Sequence, residues 1–238
     1  RRVADAGLVL QAIAGHDPKD PTTLTDPVPD LLAGLDAGVA GLRLGYDRAY
    51  VSEGSAPGLV AAIEEALEVL KRQGATIVDI QMPADVRQLV DAWFAIGTRE
   101  AALAHAANYP SRAAEYGPYF SEFLATGAAV TEQQYAEASA LRADFSARFN
   151  AVLETVDAIV SPSGGHAISV AGVDQHGDTE ALGPLFAAVR LDHTIPANFA
   201  GTPTLTLPCG FSEEKGLPYA LQFMGRRLSE PMLLRIGH

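Results

Sequence analysis

The chain has 238 residues, of which 48% are hydrophobic and 19% are charged, a balance typical of a globular protein. Its formal net charge is −12 and it has no block of Lys or Arg. This argues against nucleic acid or an anionic membrane as a partner, because phosphate binding needs clustered positive charge. No apolar run approaches the roughly 20 residues that span a bilayer, so we expect no membrane insertion.

The single cysteine, Cys209, cannot form an intramolecular disulfide, and zinc sites built from several thiolates are excluded. A lone thiol fits a reducing compartment, so we expect a cytoplasmic protein. The chain opens with Arg1 and Arg2, without an initiating methionine or a cleavable signal. This start indicates a chain cut from something longer.

The first 83 residues predict a helix, an irregular connection and then a strand–helix–strand unit. Apolar residues at helical spacing predict a helix over 3–14. Residues 20–40 are rich in Pro, Asp and Gly and predict an irregular connection. A strand over 41–47, a helix over 55–72 and a strand over 75–83 then predict a βαβ-like unit with parallel strands.

The middle of the chain predicts mainly helices. A long helical stretch covers 84–107, and a shorter one over 115–128 is predicted to be broken by Pro118 and Gly127. Thr131 opens a further helix that runs to about Leu153.

The last part of the chain predicts sheet strands around the segment NFAGTPTLTLPCG at 198–210. Alternating Thr and Leu predict a strand there, and we expect Pro203 and Pro208 to limit it to about five residues, since proline cannot donate into a ladder. The other predicted elements are a strand at 156–162, a long loop at 164–183, a strand at 219–225 and a closing helix from Glu230 onward.

The sequence pattern alone indicates few candidate catalytic or metal-binding residues. No G-x-S-x-G turn is present, and no histidines lie at metal-ligand spacing. His105 is interpreted as a packed histidine with one hydrogen bond, and Cys209 as a small buried hydrophobe rather than a nucleophile. His166 and His176, in the long loop, either touch a ligand or face solvent. The triplet at 163–165, Ser-Gly-Gly, either offers N–H groups to an anion or forms a plain turn.

Three segments together resemble the amidase signature enzymes. They are residues 2–15, RVADAGLVLQAIAG, with HDPKDPTT after them; VDAIVSPS at 156–163; and the carboxy-terminal block that begins at Asn198. In that block the family shows Asn-x-x-Gly-x-Pro, an alternating strand, Pro-x-Gly, a Gly-Leu-Pro turn and a Leu-Gln strand. The matching residues are Asn198, Gly201, Pro203, Pro208, Gly210, Gly216, Leu217, Pro218, Leu221 and Gln222.

The resemblance implies an α/β fold, a mixed β-sheet covered by helices, of which this chain is the carboxy-terminal portion. Residues 1–238 then belong to one amidase domain. Within it, 1–40 form a helix and an irregular connection, 41–155 a βαβ-like unit with a helical insertion, and 156–238 the sheet strands and the closing helix.

The family's Ser–Ser–Lys catalytic residues belong to a Gly/Ser-rich block that precedes the segment matched by 2–15, and no such run exists here. Lys19, Lys71 and Lys215 match no catalytic position. No catalytic residue is therefore assigned, and the chain alone is predicted to be inactive.

The resemblance also implies that the strand after Pro203 supports the wall of an acyl-binding pocket. Ser163, Gly164, Phe199 and Thr202 are the candidates for substrate contact; for Phe199 a plain core role is the alternative. The chain departs from the family where the Ser-Pro-Thr-x-Pro pattern reads Ser-Pro-Ser-Gly-Gly, and where Thr202 replaces a common Leu. Both departures lie near the implied pocket, where they bear on the substrate class.

The implied function is hydrolysis of a carboxamide or a related acyl bond, such as an anilide, ester or carbamate. Two alternatives stay open: a glutamine amidotransferase subunit of a tRNA-dependent complex, and a truncated, non-catalytic binding domain. The expected partners are a small amide substrate and the missing amino-terminal part, with a homodimer left open. The resemblance implies no metal and no organic cofactor.

Overall fold

The architecture comes from a computed structural model that describes residues 2–165, 191–214 and 216–238. The α-helices are α1 (Val3–Ile13), α2 (Arg48–Ser52), α3 (Pro57–Arg72), α4 (Val90–His105), α5 (Pro118–Ala129), α6 (Glu132–Leu153), α7 (Ile195–Ala200) and α8 (Glu230–Gly237). The strands are β1 (Arg43–Tyr46), β2 (Thr76–Asp79), β3 (Ala158–Pro162), β4 (Thr204–Phe211) and β5 (Pro218–Gly225). Among the described helices, none combines the length and the apolar character that crossing a membrane requires.

The described strands form one sheet in the order β2-β1-β3-β5-β4. β1 runs parallel to β2 and to β3, whereas β5 runs antiparallel to β3 and to β4. Because α3 connects the parallel pair β1 and β2, the predicted strand–helix–strand unit is confirmed. The mixed sheet with its covering helices likewise confirms the predicted fold class.

Helices cover both faces of the sheet because its strands supply two separate apolar cores. On one face, residues of α3 and α8 share a buried cluster with Leu44, Val160 and Phe223. On the other face, residues of α4, α6 and α7 share a buried cluster with Ile159 and Met224. Successive side chains of a strand point to opposite faces, so Ile159 and Val160 serve different cores. Apolar burial on both sides is the main source of the sheet's stability.

The limits of α3 follow from its sequence. Pro57 lies in the first turn, where its missing N–H leaves no helical bond unmade. Leu59 and Ile63, four residues apart, are buried on the face that packs against the sheet. Gly74 follows the helix at φ +99°, a conformation that glycine adopts without strain. The predicted helix over 55–72 is confirmed.

The start of α6 is set by a capping box. The backbone N–H of Gln134 donates to the Thr131 hydroxyl at 3.2 Å, and the backbone N–H of Thr131 donates to Gln134 Oε1 at 2.9 Å. These bonds satisfy N–H groups that have no partner within the helix. The predicted helix from Thr131 to about Leu153 is confirmed.

The predicted break in the 115–128 stretch is wrong. Pro118 lies in the first turn of α5, where proline is favoured, and Gly127 lies inside the same continuous helix. A side chain on Gly127 would overlap the backbone carbonyl of Thr98 in α4. The glycine therefore permits close packing of two helices and does not end one.

The predicted length of β4 is also wrong. We expected Pro203 and Pro208 to limit this strand to about five residues, but it runs over Thr204–Phe211. Pro208 pairs in register with Ala220 of β5, and the register then shifts at Cys209, as in a β-bulge. Proline is tolerated because β4 lies at the edge of the described sheet, where only one side of the strand carries a ladder.

Candidate functional site

Two buried polar side chains meet at the carboxyl end of β3. Ser161 and Gln222 are direct neighbours across β3 and β5, and they are 0% and 3% exposed. Gln222 Nε2 donates to Ser161 Oγ at 3.1 Å, and that hydroxyl donates to the Pro162 carbonyl at 3.1 Å. A buried polar group is destabilising unless it is hydrogen-bonded. The pair therefore favours the observed register of β3 against β5.

The same amide reaches a second segment of the chain. Gln222 Nε2 lies 2.9 Å from the carbonyl oxygen of Pro162 and 2.5 Å from that of His193. His193 is fully buried in the short turn that precedes α7. One side chain thus connects the end of β3 to the start of α7.

Tyr50 holds the same turn from another direction. Its hydroxyl donates to the carbonyl oxygen of Asp192 at 2.6 Å, and its ring packs edge-on against His193 with centroids 5.2 Å apart. Tyr50 is itself fixed because its backbone N–H donates to Asp47 Oδ1 at 3.0 Å, at the start of α2. Asp47 Oδ2 accepts the N–H of Met82 at 2.8 Å, so this carboxylate joins α2 to the segment after β2.

The turn after β3 is held by its backbone. Ser163 N–H donates to the Ala220 carbonyl at 3.2 Å, and the Gly165 carbonyl accepts the N–H of Ala56 at 2.8 Å. Since the Ser163 N–H already serves the sheet, it is not available for an anion. A Cβ placed on Gly164 would meet no atom of the described residues within 4 Å. Both predicted substrate-contact residues here, Ser163 and Gly164, are partly exposed.

The ring of Phe199 lies in the core. It is 4% exposed and packs edge-on against Phe145, with centroids 6.3 Å apart. Its carbonyl accepts a hydrogen bond from Arg142 Nε at 3.1 Å. The geometry therefore favours the core interpretation of this side chain and leaves substrate contact by Phe199 a prediction.

Thr202 lies where the chain leaves α7. Gly201 ends that helix at φ 64°, and the N–H of Thr202 donates to the Ala197 carbonyl at 3.2 Å. The Thr202 hydroxyl is buried and has no hydrogen-bond partner in the described part of the chain. Leaving such a group unpaired costs about 1–3 kcal/mol. This position is therefore suited to bonding a ligand or a further segment of chain.

The structure connects the two predicted groups of site residues, 163–164 and 199–202, through Gln222 and the turn at 191–193. Sequence reasoning missed the roles of Tyr50, Asp192 and His193, and it treated Gln222 only as part of a family motif. No sequence pattern links residue 50 to residue 192, since only the fold brings them together.

The other residues with candidate chemistry have structural surroundings. His105 Nδ1 lies 3.0 Å from the Tyr116 hydroxyl, and its ring packs edge-on against Phe120 at 5.1 Å, as expected for a packed histidine. Burial raises the pKa of the half-buried Cys209 thiol, which disfavours the reactive thiolate. His166 and His176, and residues 166–183 of the predicted long loop, lie outside the described residues. Within the described ranges, no group of three or more His, Cys, Asp or Glu could hold a metal ion.

The family assignment rests on a match along nearly the whole chain. A family model described as Amidase matches residues 1–234. The chain belongs to the amidase family. This confirms the resemblance seen in the sequence motifs, and the amidase fold accounts for the mixed sheet and its covering helices.

Known relatives of this amidase-family chain are about twice as long. A glutamyl-tRNA(Gln) amidotransferase protein of Chloroflexus aggregans is 32% identical over 259 residues, which cover 99% of this chain and 51% of the relative. An amidase of Pseudomonas putida is 34% identical over 241 residues, which cover 100% of this chain and 50% of the relative. The crystal structure of the corresponding glutamyl-tRNA(Gln) amidotransferase protein from Thermotoga maritima superposes with a TM-score of 0.74 at 28% identity and covers 99% of this chain and 50% of that one. The chain therefore spans about half the length of the relatives it matches.

Proposed function

We propose that this chain forms the carboxy-terminal half of an amidase that hydrolyses a carboxamide or a related acyl bond, such as an anilide, ester or carbamate. The observation that carries the proposal is the family match over residues 1–234, together with a relative of equal coverage that is named an amidase. The division into segments 1–40, 41–155 and 156–238 of one domain is part of the same proposal, as is a cytoplasmic location.

In this proposal the reacting groups come from the amino-terminal half of the enzyme. A serine attacks the substrate carbonyl, while a second serine and a lysine move its proton to the leaving amine. Water then hydrolyses the acyl-enzyme. Backbone N–H groups of the glycine-rich block stabilise the oxyanion, an effect worth about 3–4 kcal/mol per donor.

The described chain supplies one wall of the acyl pocket. Within the described ranges, Gly164 has room beside its Cα after β3, and the Thr202 hydroxyl has no hydrogen-bond partner after α7. Ser163 and Phe199 complete the proposed contact set, Ser163 through its partly exposed side chain and Phe199 by shaping the wall from the core side.

A glutamine amidotransferase subunit is the second candidate. It is favoured by the amidotransferase relatives in Chloroflexus aggregans and Thermotoga maritima, at 32% and 28% identity. In that case the protein takes ammonia from glutamine and works only with a companion subunit. The third candidate is a non-catalytic binding domain, favoured by the lack of a Gly/Ser-rich nucleophile block in this sequence.

The test compares the longer protein that carries this chain with the chain alone. Both are incubated with a small nitroanilide, and release of the coloured amine is followed. We expect hydrolysis by the longer protein and none by the chain alone. Glutaminase activity that needs a companion subunit, without anilide hydrolysis, supports the second candidate. No activity in either assay supports the third.

Cys209→Ala is the control for thiol chemistry. We expect the longer protein to keep its activity after this change, since burial of the thiol disfavours its thiolate. Hydrolysis by the chain alone that disappears in Cys209→Ala would show that the nucleophile had been wrongly assigned to the amino-terminal half.

A further inference from the structure

We propose that Gln222 is a positioning residue that holds the two segments of the acyl wall, 163–164 and 199–202, in a fixed relation to each other. This proposal rests on the proposed hydrolase function. It assigns a role to a side chain that does not itself touch the substrate.

The first step of the argument is connectivity. Gln222 Nε2 contacts the Pro162 carbonyl, one residue before Ser163, and the His193 carbonyl, two residues before α7 begins. α7 carries Phe199 and leads directly into Thr202. One buried amide group therefore joins the two segments that carry all the predicted contact residues.

The second step is that the two segments are restrained by different means. The turn at 163–165 is anchored by its backbone, with Ser163 N–H on the Ala220 carbonyl and the Gly165 carbonyl on the N–H of Ala56. Among the contacts of the described residues, the turn at 191–193 is held by two side chains, Gln222 on the His193 carbonyl and the Tyr50 hydroxyl on the Asp192 carbonyl. Loss of the Gln222 amide should therefore shift 191–202 while 163–165 stays in place.

The third step is location. Gln222 pairs in register with Thr206 of β4, whose side chain is exposed, while Gln222 itself is buried. Side chains paired across adjacent strands point to the same face of a sheet. The buried amide thus lies on the same face of the sheet as the exposed Thr206, and on this face a displacement of α7 alters the shape of the wall that a substrate meets.

The chemistry of the side chain is specific. The two hydrogens of a glutamine amide nitrogen serve three oxygens here, those of Ser161, Pro162 and His193. Leucine has a similar volume and donates none of these bonds. Glutamate in its charged form presents only acceptors to the same oxygens, and it donates a bond only when protonated.

The test uses the longer active protein with Gln222→Leu and Gln222→Glu, and Gln133→Leu as the matched control on the exposed surface of α6. We expect Gln222→Leu to raise KM for amides with bulky acyl groups about tenfold, the effect of one or two lost buried hydrogen bonds. For the smallest acyl group, kcat should change less than about twofold, because the reacting groups lie elsewhere. The Gln222→Glu defect should shrink as the pH is lowered and the carboxyl becomes a donor.

Hydrogen exchange gives a readout that does not depend on any substrate. Backbone N–H groups of 194–202 should exchange faster in Gln222→Leu than in the parent, whereas those of 163–165 and those of the Gln133→Leu protein should not change. Tyr50→Phe removes the hydrogen bond to the Asp192 carbonyl but leaves the packed ring in place, so it should give a weaker form of the same exchange pattern. This variant replaces Gln222→Leu in the test if Gln222→Leu does not fold.

The outcomes separate the two proposals. The positioning role is overturned if Gln222→Leu and Gln133→Leu have the same hydrogen-exchange rates and the same KM values. If Gln222→Leu does not fold, unchanged exchange of 194–202 in Tyr50→Phe overturns it. A parent protein that hydrolyses no amide overturns the hydrolase function, while faster exchange confined to 194–202 still supports Gln222 as the link between the segments.

Discussion

Arg148 makes the ion-pair contacts that join α6 to the segment before α4. Its guanidinium donates to both oxygens of Asp85, Nη1 to Oδ1 at 2.9 Å and Nη2 to Oδ2 at 2.5 Å, and it also contacts Asp144 at 2.9 Å. Its stem passes over the ring of Phe145, with Cζ 5.8 Å from the centroid. The hydrogen bonds from Arg148 hold the pKa of Asp85 below its usual value.

This shift predicts a pH-dependent contribution to stability. The pKa of Asp85 is lower in the folded chain than in the unfolded chain, so its contribution is complete above the unfolded value of about 3.9 and is lost as the pH falls through the folded value. We expect Asp85→Asn to lower Tm by about 2–4 °C at pH 7, since a surface pair contributes at most about 1 kcal/mol. The difference in Tm should shrink as the pH falls below the unfolded value of about 3.9, as measured by calorimetry.

Asp144→Asn is the matched control for that measurement. Asp144 contacts the same arginine, but its side chain is 68% exposed, against 32% for Asp85. Solvent screens the more exposed pair more strongly, so its removal should change Tm less. A Tm difference for Asp85→Asn that is the same at pH 3 and pH 7 would contradict the assigned role of the ion pair.

At the scale of elements, the hairpin of α4 and α5 contains a close approach of one backbone to the other. Gly127 of α5 lies against the carbonyl of Thr98 in α4, and no side chain fits between them. At this point the closeness of the two helices requires the missing Cβ of Gly127, while elsewhere aromatic rings pack between them, as Phe94 does against Phe123 with centroids 6.4 Å apart. An apolar pattern alone does not reveal such a contact.

We expect Gly127→Ala to destabilise the protein by about 3 kcal/mol, because the added methyl group overlaps a backbone that cannot move away cheaply. Gly97→Ala is the matched control, since Gly97 is exposed in α4 and a Cβ there meets no atom of the described part of the chain within 4 Å. That change should stabilise the helix by about 0.5–1 kcal/mol. Urea unfolding measures both; equal effects of the two substitutions would refute the close packing of α4 on α5.

At the scale of the whole molecule, the surface carries features that suit contact with more protein. Three apolar residues of α1, Leu8, Val9 and Ile13, are each more than half exposed, and so is Phe211 of β4. β4 lies at the edge of the described sheet and carries no charged residue over its eight positions. Uncharged edges favour pairing with other chains.

We therefore expect the chain alone to self-associate, and we expect Thr206→Lys to reduce that association by placing a charge on the exposed face of β4. Thr126→Lys is the control, since it adds the same charge on the exposed surface of α5. Light scattering coupled to size-exclusion chromatography measures the difference. A monodisperse monomer that melts cooperatively, before any substitution, would count against this expectation.

The sequence by itself determined the local elements and the family. Periodic apolar residues predicted α3, a start signal at Thr131 predicted α6, and alternating Thr and Leu predicted β4, because these signals depend on residues that are close together along the chain. The motifs around Asn198 and Gln222 were enough to indicate an amidase, since they keep their order along the chain.

Only the tertiary structure decided the register of the strands, the edge position of β4 in the described sheet, and the hydrogen bonds made by Gln222 and Tyr50. Pro208 stays within a strand because β4 has a ladder on one side, and Gly127 lies inside a helix because another helix approaches it. The hydrogen bonds of Gln222 and Tyr50 join residues 29 and 142 positions away, to His193 and Asp192 respectively. Such contacts depend on how distant segments pack together, which local preferences along the chain do not specify.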